Sequence, residues 1–213
     1  MKASGFKMAR PPRNPIGPLI EGVKKLNEGP KRGLLIGRFQ PFHLGHLQCV
    51  RYVLTRLPEI IIGIGSAQFS HTLHNPFTAG ERITMVRLAL DEAKIDPGKY
   101  YLIPIRDLRI HDLWVSHLVS QTPRFEVVFS NEPVTSRLFK EAGFRVEPIQ
   151  FFDRDTYSST EIRERVVGGK SWEELVPHSV ASYIKDIFGD ERLRELAMSD
   201  DPRHHPGGEH HRF

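Results

Sequence analysis

"GLLIGRFQPFHLGHLQCVRYVLTRLPEIIIGIGS", residues 33–66, sets two short apolar runs on either side of a segment with helical apolar spacing. The second run, EIIIGIGS (59–66), is apolar at successive positions, which in a strand means apolar on both faces. A central strand of a covered parallel sheet has that character. The stretch therefore reads as a β-α-β unit, which commits the chain to parallel strands and a crossover helix. Strand and helix continue to alternate outward from it. Strands are expected over 33–39, 59–66, 100–105, 125–130 and 144–150. Helices are expected over 44–57, 78–93, 111–122, 133–143, 159–167, 171–175, 178–188 and 190–197, with Thr78 and Glu81 at capping-box spacing before the second. The pattern predicts a Rossmann-like three-layer α/β/α domain with a parallel sheet of about five strands. Ligands of such sheets sit at the carboxyl ends of the strands, near the switch in strand order.

Composition bounds the rest. The 213 residues suit one domain with a sizeable core, and 39% hydrophobic with 26% charged residues is ordinary for a soluble globular chain. One cysteine, Cys49, excludes an internal disulfide and suggests a reducing, cytoplasmic setting. No apolar run approaches the roughly 20 residues that span a bilayer. The formal charge of +4 favours anionic partners, but residues 1–32 supply eight Lys or Arg against two acids. Residues 1–31 read as a basic extension, 32–197 as the folded domain and 198–213 as a disordered, His-rich tail.

The turn "GRFQPFHLGH" (37–46) joins the first strand to the first helix. Pro41 stiffens it, Gly37 ends the strand, and Gly45 allows a close backbone approach as the helix begins. A helix N-terminus offers free N–H groups and a positive dipole end, suited to phosphate. Arg38 adds a cation, and His43 and His46 stand one helical turn apart on a common side. From the residues alone, the two histidines are open to three readings: capping residues, two of three zinc ligands, or hydrogen-bond donors to a phosphate chain. "YSSTEIR" (157–163) is a second helix start, with Ser158 and Glu161 at capping-box spacing, hydroxyls on Ser158, Ser159 and Thr160, and Arg163 on the first turn.

Together, the HxGH turn and SSTEIR resemble the two signatures of the HxGH nucleotidylyltransferase superfamily, with Tyr157 where Ile is usual. "GIGSAQFSHTLHNPFTAGER", "IPIRDL", "LWVSHL" and "LVPHSVASYI" narrow the resemblance to the archaeal type of nicotinamide-nucleotide adenylyltransferase, over about residues 32–197. The resemblance implies that ATP and nicotinamide mononucleotide (NMN) give NAD and pyrophosphate, with Mg²⁺. It also implies in-line attack by the acceptor phosphate and no protein nucleophile. His43, His46, Arg38 and Arg163 would be the catalytic groups. Gly37, Phe39, Gln40, Gly45, Ser130, Ser158, Ser159 and Thr160 would bind ATP, and Trp114, Asp107, His111, Ser66, Gln68 and His74 would bind NMN. A homo-oligomer, with a hexamer as one candidate, is implied as well; no membrane and no nucleic-acid partner are expected.

Three positions depart from the family pattern. His74 stands where an arginine is assigned to phosphate contact, and His111 where asparagine is common. Ser130-Asn131-Glu132-Pro133 replaces Ser-Gly-Asn-Pro in a loop expected to face the adenosine. Two alternatives remain: nucleotidyl transfer to FMN or phosphopantetheine, and a non-catalytic nucleotide- or RNA-binding regulator supported only by the basic N-terminus.

Overall fold

The computed structural model describes residues 31–108, 110–149 and 157–199. The extension expected over 1–31, apart from Lys31, and most of the expected tail lie outside them.

Five strands form one parallel sheet in the order β3-β2-β1-β4-β5: β1 (Arg32–Gly37), β2 (Glu59–Ile64), β3 (Tyr100–Pro104), β4 (Val127–Phe129) and β5 (Arg145–Glu147). The chain builds outward from β1 to β3 and then returns to the other side of β1. The loops after β1 and β4 therefore part company, and the crevice between them is the switch point. Among the described residues seven helices cover the sheet: α1 (Leu44–Leu54), α2 (Ala79–Glu92), α3 (His111–Gln121), α4 (Pro133–Glu141), α5 (Ser159–Val167), α6 (His178–Asp186) and α7 (Gly189–Ser199).

Alternation along the strands sorts the core into two layers. Leu35, Ile60, Ile62, Ile64, Val127 and Phe129 face α1, α2, α5, α6 and α7. Leu34, Ile61 and Val128 face the other way, onto Val115 and Leu118 of α3 and Phe139 of α4. All three isoleucines of β2's central run are fully buried, so both faces of that strand are covered, as the unbroken apolar run requires. Each such side chain contributes roughly 2 kcal/mol of burial.

The elements are shorter than the periodicity suggested. The first helix stops at Leu54 because Thr55 closes it, its hydroxyl donating to the Tyr52 carbonyl (2.7 Å), and because Pro58 disfavours a helical residue before it. Only three residues of β5 pair with β4, and Pro148 then removes a donor. The helix expected over 171–175 is a single 3₁₀ turn, Glu173–Leu175, and α7 runs on to Ser199. The α2 capping box is complete: the Thr78 N–H donates to Glu81 Oε2 (2.8 Å) and the Glu81 N–H to Thr78 Oγ1 (3.2 Å). No helix among the described residues is long and apolar enough to cross a membrane.

Candidate active site

After Gly37 the backbone turns sharply. Phe39 takes a left-handed conformation (φ 51°), and its ring folds back over Gly37, where a Cβ would lie 2.8 Å from it. Phe39 is buried and its ring edge meets His46 at 4.8 Å between centroids. Gln40 is buried as well. Its Nε2 donates to the Phe77 carbonyl and its Oε1 accepts the Phe77 N–H, both at 3.0 Å. The side chains of Phe39 and Gln40 thus shape the turn.

His43 is the N-cap of α1, and with His46 it forms a reciprocal capping box built from imidazoles. The His46 N–H donates to His43 Nδ1 and the His43 N–H donates to His46 Nδ1, each at 3.3 Å. The rings stack with centroids 3.5 Å apart. Because both Nδ1 atoms accept, a neutral ring carries its proton on Nε2. Burial pushes His43 down to about 3. Burial, and then repulsion from His43, holds His46 well below the ordinary range. At neutral pH the pair is thus two uncharged Nε2–H donors. Gly45 makes close approaches within the chain: its Cβ would meet the Tyr157 side chain at 3.0 Å and the His43 ring at 3.1 Å.

The two motifs, more than a hundred residues apart, are joined directly. Arg163 Nη1 donates to the Gln40 carbonyl (2.9 Å), and Ser159 Oγ donates to the Pro41 carbonyl (3.1 Å). Ser159 is thereby committed to the joint. The Ser158 oxygen caps α5 by accepting from the Glu161 N–H (3.1 Å), and Thr160 is exposed, its Oγ1 meeting Arg163 Nη2 at 3.3 Å. Glu161 does not complete the box; it pairs with Arg165 at 2.7 Å instead. Among the described residues the Ser159 and Thr160 N–H groups have no acceptor, so α5 presents free donors beside those of α1.

Arg82 belongs to this site and was not singled out from the sequence. It is fully buried, and its guanidinium donates to the carbonyls of Arg38 (2.8 Å), Gly65 (2.7 Å) and Ser66 (3.1 Å), while Nε reaches Thr78 O (3.3 Å). It clamps the ends of β1 and β2. Burial brings it down to about 10, opposed by Asp107 and aided by Arg38, so it stays charged at neutral pH. Burial and Arg38 likewise lower Arg163. Arg38 itself is exposed. Three guanidiniums, two imidazole donors and two helix N-termini therefore converge at the carboxyl end of β1, which is a strong anion site.

The expected acceptor residues fall into two places. Asp107 accepts from the Ser66 N–H (3.2 Å) and hydroxyl (2.6 Å), and the Gln68 side chain pairs with the Asp107 backbone at 3.1 and 3.0 Å. Trp114 is half-buried, its ring meeting Phe139 at 5.6 Å, and shares with Asp107 a cavity of about 350 Å³. His74 is elsewhere. It lines a second cavity, about 380 Å³, with Thr160 and Arg163, on the phosphate side. The side chain of His111, the first residue of α3, lies outside the described ones.

The loop after β4 is held by its own side chains. Ser130 Oγ accepts from the Glu132 N–H (3.1 Å), and Asn131 bridges to both backbone groups of Ile149. Glu132 lines the Trp114 cavity.

Among the described residues no three His, Cys, Asp or Glu side chains converge to hold a metal ion. The oxygen donors at the cradle are the Ser158 and Thr160 hydroxyls. That set suits Mg²⁺ carried in on phosphate oxygens and keeping its waters. Cys49 is buried, its thiol pushed up to about 11 by burial, which excludes it as a nucleophile.

Comparison with known proteins agrees with this geometry. The cytidylyltransferase-like family matches residues 34–165, a span containing both motifs. The nicotinamide-nucleotide adenylyltransferase of Archaeoglobus fulgidus is 50% identical over 172 residues, 79% of this chain and 99% of that protein. That of Pyrococcus horikoshii is 52% identical over 168 residues, 79% of this chain and 90% of its own length. Among solved structures, a bifunctional NMN adenylyltransferase/ADP ribose pyrophosphatase from Francisella tularensis, complexed with AMP and a Mn ion, matches with a TM-score of 0.64 at 20% identity. It covers 80% of this chain, which spans about half (54%) of that structure's length, and the likeness concerns the fold.

Proposed function

The chain belongs to the nicotinamide-nucleotide adenylyltransferases of the cytidylyltransferase-like family, and from that premise we propose that it condenses ATP with NMN to give NAD and pyrophosphate. One observation carries the reading: Arg163 and Ser159 lock the SSTEIR helix onto the HxGH turn, which sets the N-termini of α1 and α5 side by side.

In this reading ATP lies with its phosphates across the N-termini of α1 and α5. His43 and His46 donate Nε2–H to the phosphate chain without first losing a proton, and they strengthen as charge grows on it. Arg38 and Arg163 offset the charge, with His74 at the outer edge, and the hydroxyls of Ser158 and Thr160 receive the departing pyrophosphate. Ser130 lies toward the nucleotide at the end of β4. The NMN 5′-phosphate oxygen attacks the α-phosphorus in line; the new P–O bond forms as the bond to the β-phosphate's bridging oxygen breaks. The chain supplies position and charge, with no covalent intermediate. Mg²⁺ would enter as part of the MgATP substrate. The nicotinamide ring lies on the face of Trp114, a favourable seat for a pyridinium. Asp107, oriented by Ser66, meets the ribose or carboxamide, with Gln68 and His111 alongside. A cytoplasmic homo-oligomer, with a hexamer as the candidate state, is part of the same reading; light scattering tests it.

The test is an acceptor panel of NMN, nicotinate mononucleotide, FMN and phosphopantetheine, each with MgATP, following pyrophosphate and identifying the product. Dinucleotide from the pyridine mononucleotides alone is expected, with His46→Ala slower by roughly 10²–10³-fold in kcat. Turnover of FMN or phosphopantetheine instead overturns the acceptor assignment.

A further inference from the structure

The cavity holding Trp114 and Asp107 is also lined by Glu132, Val134, Thr135 and Leu138 of the loop and first turns of α4. Glu132 is the N-cap of α4, and its carboxylate accepts from the Val134 N–H (3.1 Å) and from the Thr135 N–H. Those bonds fix its orientation. Burial opposes its charge, but the N–H groups of Thr135 and Val134 outweigh this and hold the carboxyl below its ordinary value; the helix dipole acts in the same sense. Asp107 is held as firmly by Ser66, each of its oxygens taking one hydrogen bond and keeping room for another. The cavity thus offers an indole face and two anchored carboxylates.

We propose that Glu132 is a specificity-determining residue that, together with Asp107, selects NMN over nicotinate mononucleotide. The inference rests on the reading of this cavity as the acceptor site. The two acceptors differ at one group. NMN carries a cationic ring and a neutral carboxamide whose NH₂ donates to a carboxylate. Nicotinate mononucleotide carries a carboxylate there, which has no proton to donate and meets like charge. A site of fixed acceptors discriminates in this direction because the wrong ligand leaves both carboxylates without a donor and meets them with like charge. An amide at this position can donate to the nicotinate carboxylate; a glutamate cannot.

The test uses the full-length protein with MgATP, measuring kcat and KM for both acceptors in the wild type, Glu132→Asn, Glu132→Gln and Glu132→Asp. Asparagine and aspartate both cap helices well, so the cap survives while the charge is removed or kept. The wild type is expected to favour NMN. The ratio of kcat/KM values, NMN over nicotinate mononucleotide, should fall roughly tenfold in the Asn and Gln variants, mostly through KM, and persist in Asp. The KM for ATP should not change. A merely structural Glu132 would lower both acceptors together and leave the ratio alone. A ratio unchanged in Asn and Gln, with both acceptors still turned over, overturns the role of Glu132 and leaves the enzyme reading intact. No turnover of either acceptor by the wild type overturns the enzyme reading itself, and the inference with it.

Discussion

His43 should make the fold sensitive to mild acid in a way that one substitution can isolate. The ring is 5% exposed, and its folded value of about 3 lies far below the ordinary 6.5. A group depressed in the folded state binds protons more readily when unfolded, so stability falls as pH drops below 6.5 and goes on falling until the folded value is reached. Between pH 7 and pH 5 this amounts to about 2 kcal/mol for His43 alone, at 1.36 kcal/mol per unit. Asparagine at position 43 can still accept the His46 N–H and cap α1, but it does not titrate. Urea unfolding of wild type and His43→Asn at both pH values gives a double difference from which other titrating groups cancel to first order. The wild type should lose about 2 kcal/mol more than the variant over that interval. Equal losses would show that His43 protonates normally in the folded chain, and the picture of two neutral Nε2–H donors would fail with it.

Other outcomes follow from the same contacts. Arg163→Lys should lower kcat/KM roughly hundredfold, because an ammonium cannot span the Gln40 carbonyl and Thr160 together, and steady-state kinetics checks it. Arg82→Met strands the carbonyls of Arg38, Gly65 and Ser66; at 1–3 kcal/mol for each buried acceptor, denaturation should show a loss of about 4 kcal/mol or more. Trp114→Ala should raise the KM for NMN about tenfold, the worth of a ring contact of roughly 1–2 kcal/mol, with the KM for ATP nearly unchanged.

Much of this was legible in the sequence for identifiable reasons. Both faces of β2 had to be covered, so EIIIGI announced a central parallel strand, and the two motif turns announced where helix N-termini would meet a ligand. Long-range partners were not legible. Gln40 in a polar turn reads as a ligand contact, because nothing local reveals that Phe77 takes both of its hydrogen-bonding ends. Gly45 signalled a close approach, but not that Tyr157 was the neighbour. Arg82 left a trace that went unused: it falls with Met85, Val86 and Ala89 on the apolar stripe of α2, where an arginine must find buried acceptors. The sorting of His74 and Glu132 between two cavities depends on how loops fold over the strand ends, which no periodicity encodes.

The proposed reaction is direct transfer in a cradle of neutral donors and fixed cations. Incubation with ATP radiolabelled at the α-phosphate, NMN and Mg²⁺, followed by separation of nucleotides and protein, tests it in one step. The label is expected in NAD, with unlabelled pyrophosphate in equal amount and none on the protein at any time. Label carried on the protein, or pyrophosphate released with no dinucleotide formed, would contradict it.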